Sequence, residues 1–243
     1  MAQEKLPTTG ERTGLDTAPS SAGELAAFLQ AARKLDPTAS GRLMFALDAT
    51  LSRQPAWDLA MQYQASMFDA VSKNGSLSVQ LAYFRGFGEC RASKWVMNAA
   101  ALSRLMTGIE CRGGQTQIEK LLRHAKRETV SAKLDAIVFI GDAMEENADA
   151  LCHLAGDLAL KGTRIFIFQE GSDQLAERTF REMARLTSGA WFRLGPNSAR
   201  DIAELLGAIA TYASGGRKAL EARGGRGSTL LLQQMAKGKG SSL

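Results

Sequence analysis

The sequence lacks the features that mark three large classes of protein. No apolar run approaches the roughly 18 residues of a membrane-spanning helix, which argues against an integral membrane protein. Three cysteines, Cys90, Cys111 and Cys152, are too few and too scattered for a disulfide framework. With only two histidines among 243 residues, no nucleophile–histidine–acid set for hydrolysis can be assembled. The polar first twenty residues show no apolar core of a secretory signal, so we expect a soluble, cytoplasmic protein.

The residues that are present have an ordinary globular composition, with 45% hydrophobic and 23% charged residues. The net charge of +5 is concentrated near the C-terminus. Residues 214–243 contain six Lys or Arg against one acidic residue, whereas residues 41–213 contain twenty against nineteen. Because a basic end most often serves to solvate a flexible tail, we expect neither nucleic acid nor a membrane as a partner.

Changes in composition divide the chain into four segments. Residues 1–20 predict a disordered leader, and residues 21–41 predict an amphipathic helix with a linker. Residues 42–213 predict a folded domain, and residues 214–243 a flexible basic tail. The tail contains a short apolar segment that could either dock on the domain or anchor a partner, with the contact residues Leu230, Leu231, Leu232 and Met235.

The folded domain alternates strand patterns with helix patterns. Unbroken apolar runs at 43–47 and 136–140 are typical of strands buried on both faces, and residues 164–169 predict a third such strand. Residues 77–84 and 190–194 add two further strands, and residues 89–93 add a short edge strand. Helical periodicity separates them. We therefore predict an α/β fold of the Rossmann-like, doubly wound type, with a mostly parallel sheet, one short antiparallel edge strand and helices on both faces.

Polar side chains follow two of the buried strands, at the point where each strand ends. Asp48, Thr50 and Ser52 come after the first strand, and Asp142 follows the strand at 136–140. Since the carboxyl ends of parallel strands share one edge of a sheet, these groups are expected to converge. Thr116 begins a predicted helix after two glycines. Carboxylate and hydroxyl oxygens suit Mg²⁺, Mn²⁺ or Ca²⁺ rather than zinc.

This arrangement resembles the von Willebrand factor A (VWA) domain and its metal-ion-dependent adhesion site (MIDAS). The family pattern is Asp-x-Ser-x-Ser, a distant Thr and a further Asp, and the resemblance extends over residues 43–213. Thr50 departs from it by replacing a serine, and Gly141 and Ala143 replace the usual Thr and Gly beside the last Asp. The five matching positions are Asp48, Thr50, Ser52, Thr116 and Asp142.

The resemblance implies a protein-binding module rather than an enzyme. By analogy, Thr50 and Ser52 would bind the metal directly, Thr116 directly or through water, and the two aspartates often through water. A partner's Asp or Glu would complete the coordination. An intracellular adaptor or accessory factor, acting with an AAA+ ATPase, is the role that the resemblance implies. Around the metal we expect a partner-binding rim formed by Arg85, Arg112 and Glu145.

The alternative reading is a magnesium-dependent phosphatase of the haloacid-dehalogenase type. In that class Asp48 would be the nucleophile, and Lys126 or Lys133 would neutralise the transferred phosphoryl group. A helix predicted directly after Ser52 leaves no room for the flap of that class. The Gly-Gly-Gln-Thr segment at 113–116 would also have no role. Turnover of p-nitrophenyl phosphate with magnesium distinguishes the two hypotheses.

Overall fold

The computed structural model describes residues 41–50, 54–71, 76–195 and 199–237. The predicted leader and first helix, and the predicted ligand Ser52, lie outside the described residues. All described residues belong to one unit, Ala39–Leu243. No helix within these ranges is long and apolar enough to cross a membrane.

Six strands form one sheet in the order β3-β2-β1-β4-β5-β6. All neighbouring pairs are parallel except β2 and β3, which pair antiparallel. The predicted fold class is thereby confirmed, including the single antiparallel edge strand. The strands are β1 (Gly41–Asp48), β2 (Leu77–Arg85), β3 (Glu89–Ala92), β4 (Ala136–Gly141), β5 (Arg164–Gln169) and β6 (Ala190–Arg193).

Several of the described helices differ in their bounds from the predicted ones. The apolar stripe that reaches Val71 predicts one helix, closed by Asn74 and Gly75, but two short helices occupy residues 54–63 and 65–71. The helix predicted from residue 94 begins at Ala99, because Val96 pairs with Val79 and Asn98 caps the helix through Ala101 N. The helices are α1 (Gln54–Tyr63), α2 (Ala65–Val71), α3 (Ala99–Thr107), α4 (Ile118–Ser131), α5 (Ala148–Leu160), α6 (Gln174–Leu186), α7 (Ala199–Arg223) and α8 (Gly225–Lys237).

Alternate residues of each central strand serve opposite faces of the sheet. On β1, Leu43, Phe45 and Leu47 belong to one buried cluster, whereas Met44 and Ala46 belong to the other. This is the period of two that a strand imposes on its side chains. The first cluster, which defines the first face, includes residues of α1, α2, α3, α7 and α8. The second cluster, on the second face, includes residues of α4, α5 and α6.

The segment predicted as a flexible tail is instead mostly helical, because α7 extends to Arg223 and α8 begins at Gly225 after a break at Gly224. Leu231 and Met235, one helical turn apart on α8, are buried in the core of the first face. Leu230 and Leu232 are partly buried against the same core. A Cβ at Gly227 would overlap the carbonyl of Glu204, so α8 approaches α7 more closely than another residue would allow. The described contacts are therefore those of docking on the domain, because burying this apolar face offsets the cost of ordering the chain.

Candidate functional site

Two predicted ligands are buried together where β1 ends. Asp48 is the last residue of β1 and only 3% exposed, and Thr50 is 8% exposed. The Thr50 amide donates a hydrogen bond of 2.8 Å to Asp48 Oδ1, which fixes the turn out of the strand. The positions of Asp48 and Thr50 at the end of β1 are therefore fixed relative to each other.

The second aspartate follows the neighbouring strand at the same edge. The register pairs Leu47 with Ile140, so the chain after β1 and the chain after β4 emerge side by side. Asp142 comes directly after β4 and is partly exposed. We call this edge, formed by the C-terminal ends of β1, β2, β4, β5 and β6, the carboxyl edge. The structure thus places Asp48, Thr50 and Asp142 at one edge, as predicted from their positions after the strands.

The loop that carries Thr116 is tied by its backbone to the carboxyl edge. Arg112 N donates to the carbonyl of Ala49 at 3.0 Å, just beyond β1. Gln115 N donates to the carbonyl of Gly86 at 3.1 Å, in the turn after β2. At Gly114 a Cβ would overlap the Gly86 carbonyl, so glycine permits this close approach. The loop between α3 and α4 is therefore part of the same edge.

Thr116 contacts the loop that follows β4. Its hydroxyl donates to Glu146 Oε2 at 2.6 Å and accepts from the amide of Glu145 at 2.9 Å. The Thr116 amide also donates to Glu145 Oε2 at 3.2 Å. These bonds join the Thr116 loop to the loop that carries Asp142. Three loops that are distant in sequence thus converge at the carboxyl edge.

Glu146 caps helix α4 from outside that helix, a role that the sequence analysis missed. The sequence predicts an N-cap at Thr116, but the N-cap position is Gln117, which makes no capping bond with its side chain. Instead, Glu146 Oε1 accepts from the amides of Ile118 and Glu119. A carboxylate at this position satisfies free amides and complements the helix dipole. No local sequence pattern indicates the contact, because Glu146 lies 28 residues after Ile118.

The donor set fits a hard divalent cation. No group of three or more His, Cys, Asp or Glu side chains in the described part of the chain is placed to hold a metal, so an ion here would need hydroxyl ligands. A threonine hydroxyl can donate once and accept twice. Thr116 uses its proton on Glu146 and one lone pair on Glu145, which leaves one lone pair for a further ligand. Asp48, Thr50 and Asp142 add the oxygen types that Mg²⁺ prefers.

The predicted rim residues have three different environments. Arg85 is engaged with its own fold: its side chain pairs with Glu89 at 2.9 Å and donates to the carbonyl of Glu110 at 2.6 Å. The hydrogen bond from Arg85 also lowers the pKa of Glu89. Arg112, with its side chain 61% exposed, lies 3.9 Å from Glu110 and retains access to solvent. Glu145 is exposed and bonds to Thr116. Arg85 therefore stabilises the carboxyl edge through its bonds to Glu89 and Glu110, whereas Arg112 and Glu145 are exposed to solvent.

Comparison with known proteins identifies the fold. No protein-family model matches this sequence, and no curated protein matches it. Among solved structures, it is similar to a von Willebrand factor type A protein from Catenulispora acidiphila, with 14% identity and a TM-score of 0.56 over 72% of this chain and 42% of that one. The SpRpn10 VWA domain gives 13% identity and a TM-score of 0.55 over 68% of this chain and 94% of that domain.

A third similar structure is the human COPII-coat protein Sec24c, with 9% identity and a TM-score of 0.53. This match covers 72% of the present chain but only 32% of Sec24c, so the chain spans less than half of two of these three structures. At such low identities the similarity establishes the fold alone. The chain has the fold of a VWA domain.

Proposed function

We propose that this protein is a protein-binding module that depends on a divalent cation, with Mg²⁺ as the expected ion and Mn²⁺ or Ca²⁺ as substitutes. The observation that carries this proposal is the burial of Asp48 and Thr50 together at the carboxyl edge of a VWA fold. The proposed ligand set is Asp48, Thr50, Ser52, Thr116 and Asp142.

Each described residue has a distinct part in this proposal. Asp48 supplies negative charge and orients Thr50 through the amide bond at its Oδ1. Glu146 holds the Thr116 hydroxyl in one orientation, because the hydroxyl proton is committed to its carboxylate. A bound ion would supply an open coordination position for an Asp or Glu of the partner. Arg112, exposed beside this edge, would attract such an acidic segment.

Binding rather than catalysis is supported by the positions of the two candidate lysines. Lys126, on α4, pairs with Asp157 at 2.5 Å. Lys133 pairs with Asp135 at 2.5 Å, immediately before β4 begins and therefore at the opposite edge from Asp142. A phosphatase would need a lysine at the edge where Asp48 lies. Neither lysine meets that requirement.

The cellular role is part of the same proposal. We place the module in the cytoplasm as an adaptor or accessory factor of a protein complex, with an AAA+ ATPase as a candidate partner. The adaptor role is supported by the similar fold in a protein described as a coat component. The AAA+ partner is supported by the family resemblance of residues 43–213 alone.

Thermal melting tests the metal site directly. The full chain is melted in EDTA and in MgCl₂, MnCl₂ or CaCl₂. At a concentration one hundred times the dissociation constant, the ion should stabilise the fold by about 2.7 kcal/mol. Asp48→Asn, which keeps the size of the side chain, should abolish the shift, whereas the exposed Asp149→Asn should retain it. Equal wild-type midpoints in all four conditions, up to several millimolar metal, would exclude the site.

Capture of partners tests the recognition step. The immobilised chain should retain a partner in MgCl₂ and release it in EDTA, and Thr116→Ala should bind it weakly. Replacement of one acidic residue of that partner by Ala should abolish binding. Equal capture in EDTA and by Asp48→Asn would show that the metal does not form the bridge. Turnover of p-nitrophenyl phosphate that is lost in Asp48→Asn would instead support the phosphatase.

A further inference from the structure

A groove of about 340 Å³ lies between the edge strand β3 and helix α4. It lies on the second face of the sheet, because Ala82 and Leu121, which line it, belong to the core of that face. Neither Asp48 nor Asp142 lines it, so it is distinct from the proposed metal site. We call it the basic groove, after the residues that line it beside Cys90, namely Arg91, Lys120, Arg123, His124 and Arg127.

The lining of the basic groove contains no Asp or Glu among the described residues. Two of its arginines have carboxylate partners outside the lining: Arg91 pairs with Glu89 at 2.9 Å, and Arg123 with Glu119 at 2.6 Å. Both pairs are solvent-exposed on the arginine side, where such pairs are weak and exchange readily. These two arginines line the groove, although each is also paired with a carboxylate outside the lining.

The other two cations have no carboxylate partner in the described part of the chain. Lys120 Nζ contacts neutral oxygens, Gln117 Oε1 at 2.9 Å and the Gly88 carbonyl at 3.4 Å. Arg127 makes no hydrogen bond or ion pair with any described residue. The groove thus holds at least two positive charges that no carboxylate among the described residues neutralises. Cations that line one groove raise the positive potential there, which favours an anionic ligand.

These cations form a stripe along one side of α4. Lys120, Arg123 and Arg127 are spaced three and four residues apart, which places them on a single helix face. Seven residues of helix separate the first from the last, so their backbone positions lie about 10 Å apart. Cys90 lines the same groove: burial raises the pKa of its thiol, and the charges of both Lys120 and Arg127 oppose that shift. Both cations therefore act on the same small space.

We propose that the basic groove binds a small phosphorylated ligand, held by Lys120 and Arg127. Its volume falls at the lower end of the range for small-molecule sites, about 300–1,000 Å³. A phosphate monoester carries more charge than a carboxylate, and arginine matches its oxygens with two parallel hydrogen bonds. Lys120 and Arg127 both line the groove, so a ligand with two anionic groups, such as a diphosphate, can contact both cations. The proposal does not depend on the proposed function.

Calorimetric titration of the full chain with inorganic pyrophosphate tests the proposal. The titration is done in EDTA, so that a metal at the carboxyl edge cannot capture the anion, and at constant ionic strength. Lys120→Ala and Arg127→Ala should each weaken binding about tenfold or more, since each removes charged hydrogen bonds. Arg178→Ala, an exposed arginine on α6, should bind as the wild type does. Asp48→Asn should also bind pyrophosphate normally.

Cysteine labelling gives a second readout with an internal control. Peptide mapping after iodoacetamide treatment follows Cys90 inside the groove and Cys152 on α5 in the same sample. Pyrophosphate should slow alkylation of Cys90 and leave that of Cys152 unchanged, and Arg127→Ala should remove this protection.

Four results would overturn the proposal. They are the absence of binding at several millimolar pyrophosphate, unchanged affinity in both Lys120→Ala and Arg127→Ala, loss of binding in Asp48→Asn, and tighter binding of a glutamate-rich peptide than of pyrophosphate. The last result would identify the groove as a docking site for acidic protein segments. Failure of the metal-dependent melting shift would leave the pyrophosphate test unaffected, so the two proposals stand or fall separately.

Discussion

Helix α4 is held at each end by a glutamate, Glu128 near its C-terminus and Glu146 at its N-terminus, and the two carboxylates bond to different kinds of partner. Near the C-terminal end, Glu128 Oε2 accepts from Arg42 Nη2 at 2.8 Å and from Trp95 Nε1 at 3.0 Å. At the N-terminal end, Glu146 caps the helix from the loop after β4 and also holds Thr116. The first contact set joins α4 to the strands, and the second joins two loops of the candidate site.

The contacts around Glu128 form a half-buried polar network. Gln80, on β2, approaches the other oxygen of Glu128 at 3.5 Å and bonds to His124 Nε2 at 3.0 Å. The Arg42 guanidinium lies 4.0 Å from the centre of the Trp95 ring. Burial raises the pKa of Glu128, but the hydrogen bonds from Trp95 and Gln80 and the nearby positive charges outweigh it and leave the pKa below its ordinary value. Folding therefore favours the charged carboxylate.

We expect the Glu128 end of α4 to contribute to stability alone, and the Glu146 end to contribute to the candidate site as well. The Glu128 network lies between secondary-structure elements and contains none of the predicted metal ligands. The Glu146 contacts include Thr116, so a change in the occupancy of the candidate site acts on the start of α4. We therefore expect only the Glu146 end to respond to metal.

Removal of Glu128 should have the largest effect on stability. Glu128→Ala leaves Arg42 Nη2 and Trp95 Nε1 without their acceptor, which should cost about 1–3 kcal/mol in the free energy of unfolding. Urea denaturation measures this loss. The control, Glu221→Ala, breaks an exposed pair with Arg217 and should cost less than about 0.5 kcal/mol. Equal losses in the two variants would show that the network contributes no more than a surface ion pair.

Removal of Glu146 should destabilise the protein less. Glu146→Ala deletes a cap of α4, a change that typically costs about 0.5–2 kcal/mol. In Glu146→Gln the amide oxygen can still accept from Ile118 N, so about half or more of the loss should be recovered. Urea denaturation in EDTA makes the comparison without a contribution from metal. If Glu146→Gln were as unstable as Glu146→Ala, the capping role would be wrong.

The metal response should distinguish the two ends. Glu146→Gln takes away the carboxylate that orients Thr116, and loss of such a supporting group typically weakens metal binding about 10-fold to 100-fold. Glu128→Gln should leave the affinity unchanged, since Glu128 contacts no predicted ligand. Melting midpoints across a MgCl₂ titration give both affinities. An equal change in Mg²⁺ affinity in the two variants would show that the Glu146 end of α4 has no special connection to the metal site.

The smallest expected effect is on the pH dependence of stability. Burial lowers the pKa of His124, so the unfolded chain binds more protons than the folded chain just below pH 6.5. The free energy of unfolding should therefore fall as the pH drops from about 6.5 through the pKa of His124 in the folded chain. The loss is at most about 1.4 kcal/mol for each tenfold difference in proton affinity between the folded and unfolded chains. His124→Gln, which can still donate to Gln80, should reduce the difference between urea denaturation at pH 7.5 and at pH 5.5. An identical difference in both proteins would contradict this account.

The sheet, and the placement of Asp48 and Asp142 at one edge of it, could be predicted from the sequence because both depend on local patterns. Apolar runs and period-two alternation predicted all six strands, and the direction of parallel strands then placed Asp48 and Asp142 at one edge. The apolar segment at 230–235 was visible as well, since Leu231 and Met235 have helical spacing. These features need only residues a few positions apart.

The remaining features were decided by tertiary packing. The bond from Thr116 to Glu146, the docking of α8 on the core and the engagement of Arg85 by Glu89 and Glu110 depend on how distant segments meet. The sequence shows the helical spacing of Lys120 and Arg127. It does not show that the described lining of their groove lacks acidic groups, or that Cys90 lines the same groove. Local periodicity fixes which face a residue occupies within its own element. Which elements face each other is set by the packing of the whole core, and the sequence carries no short-range pattern for it.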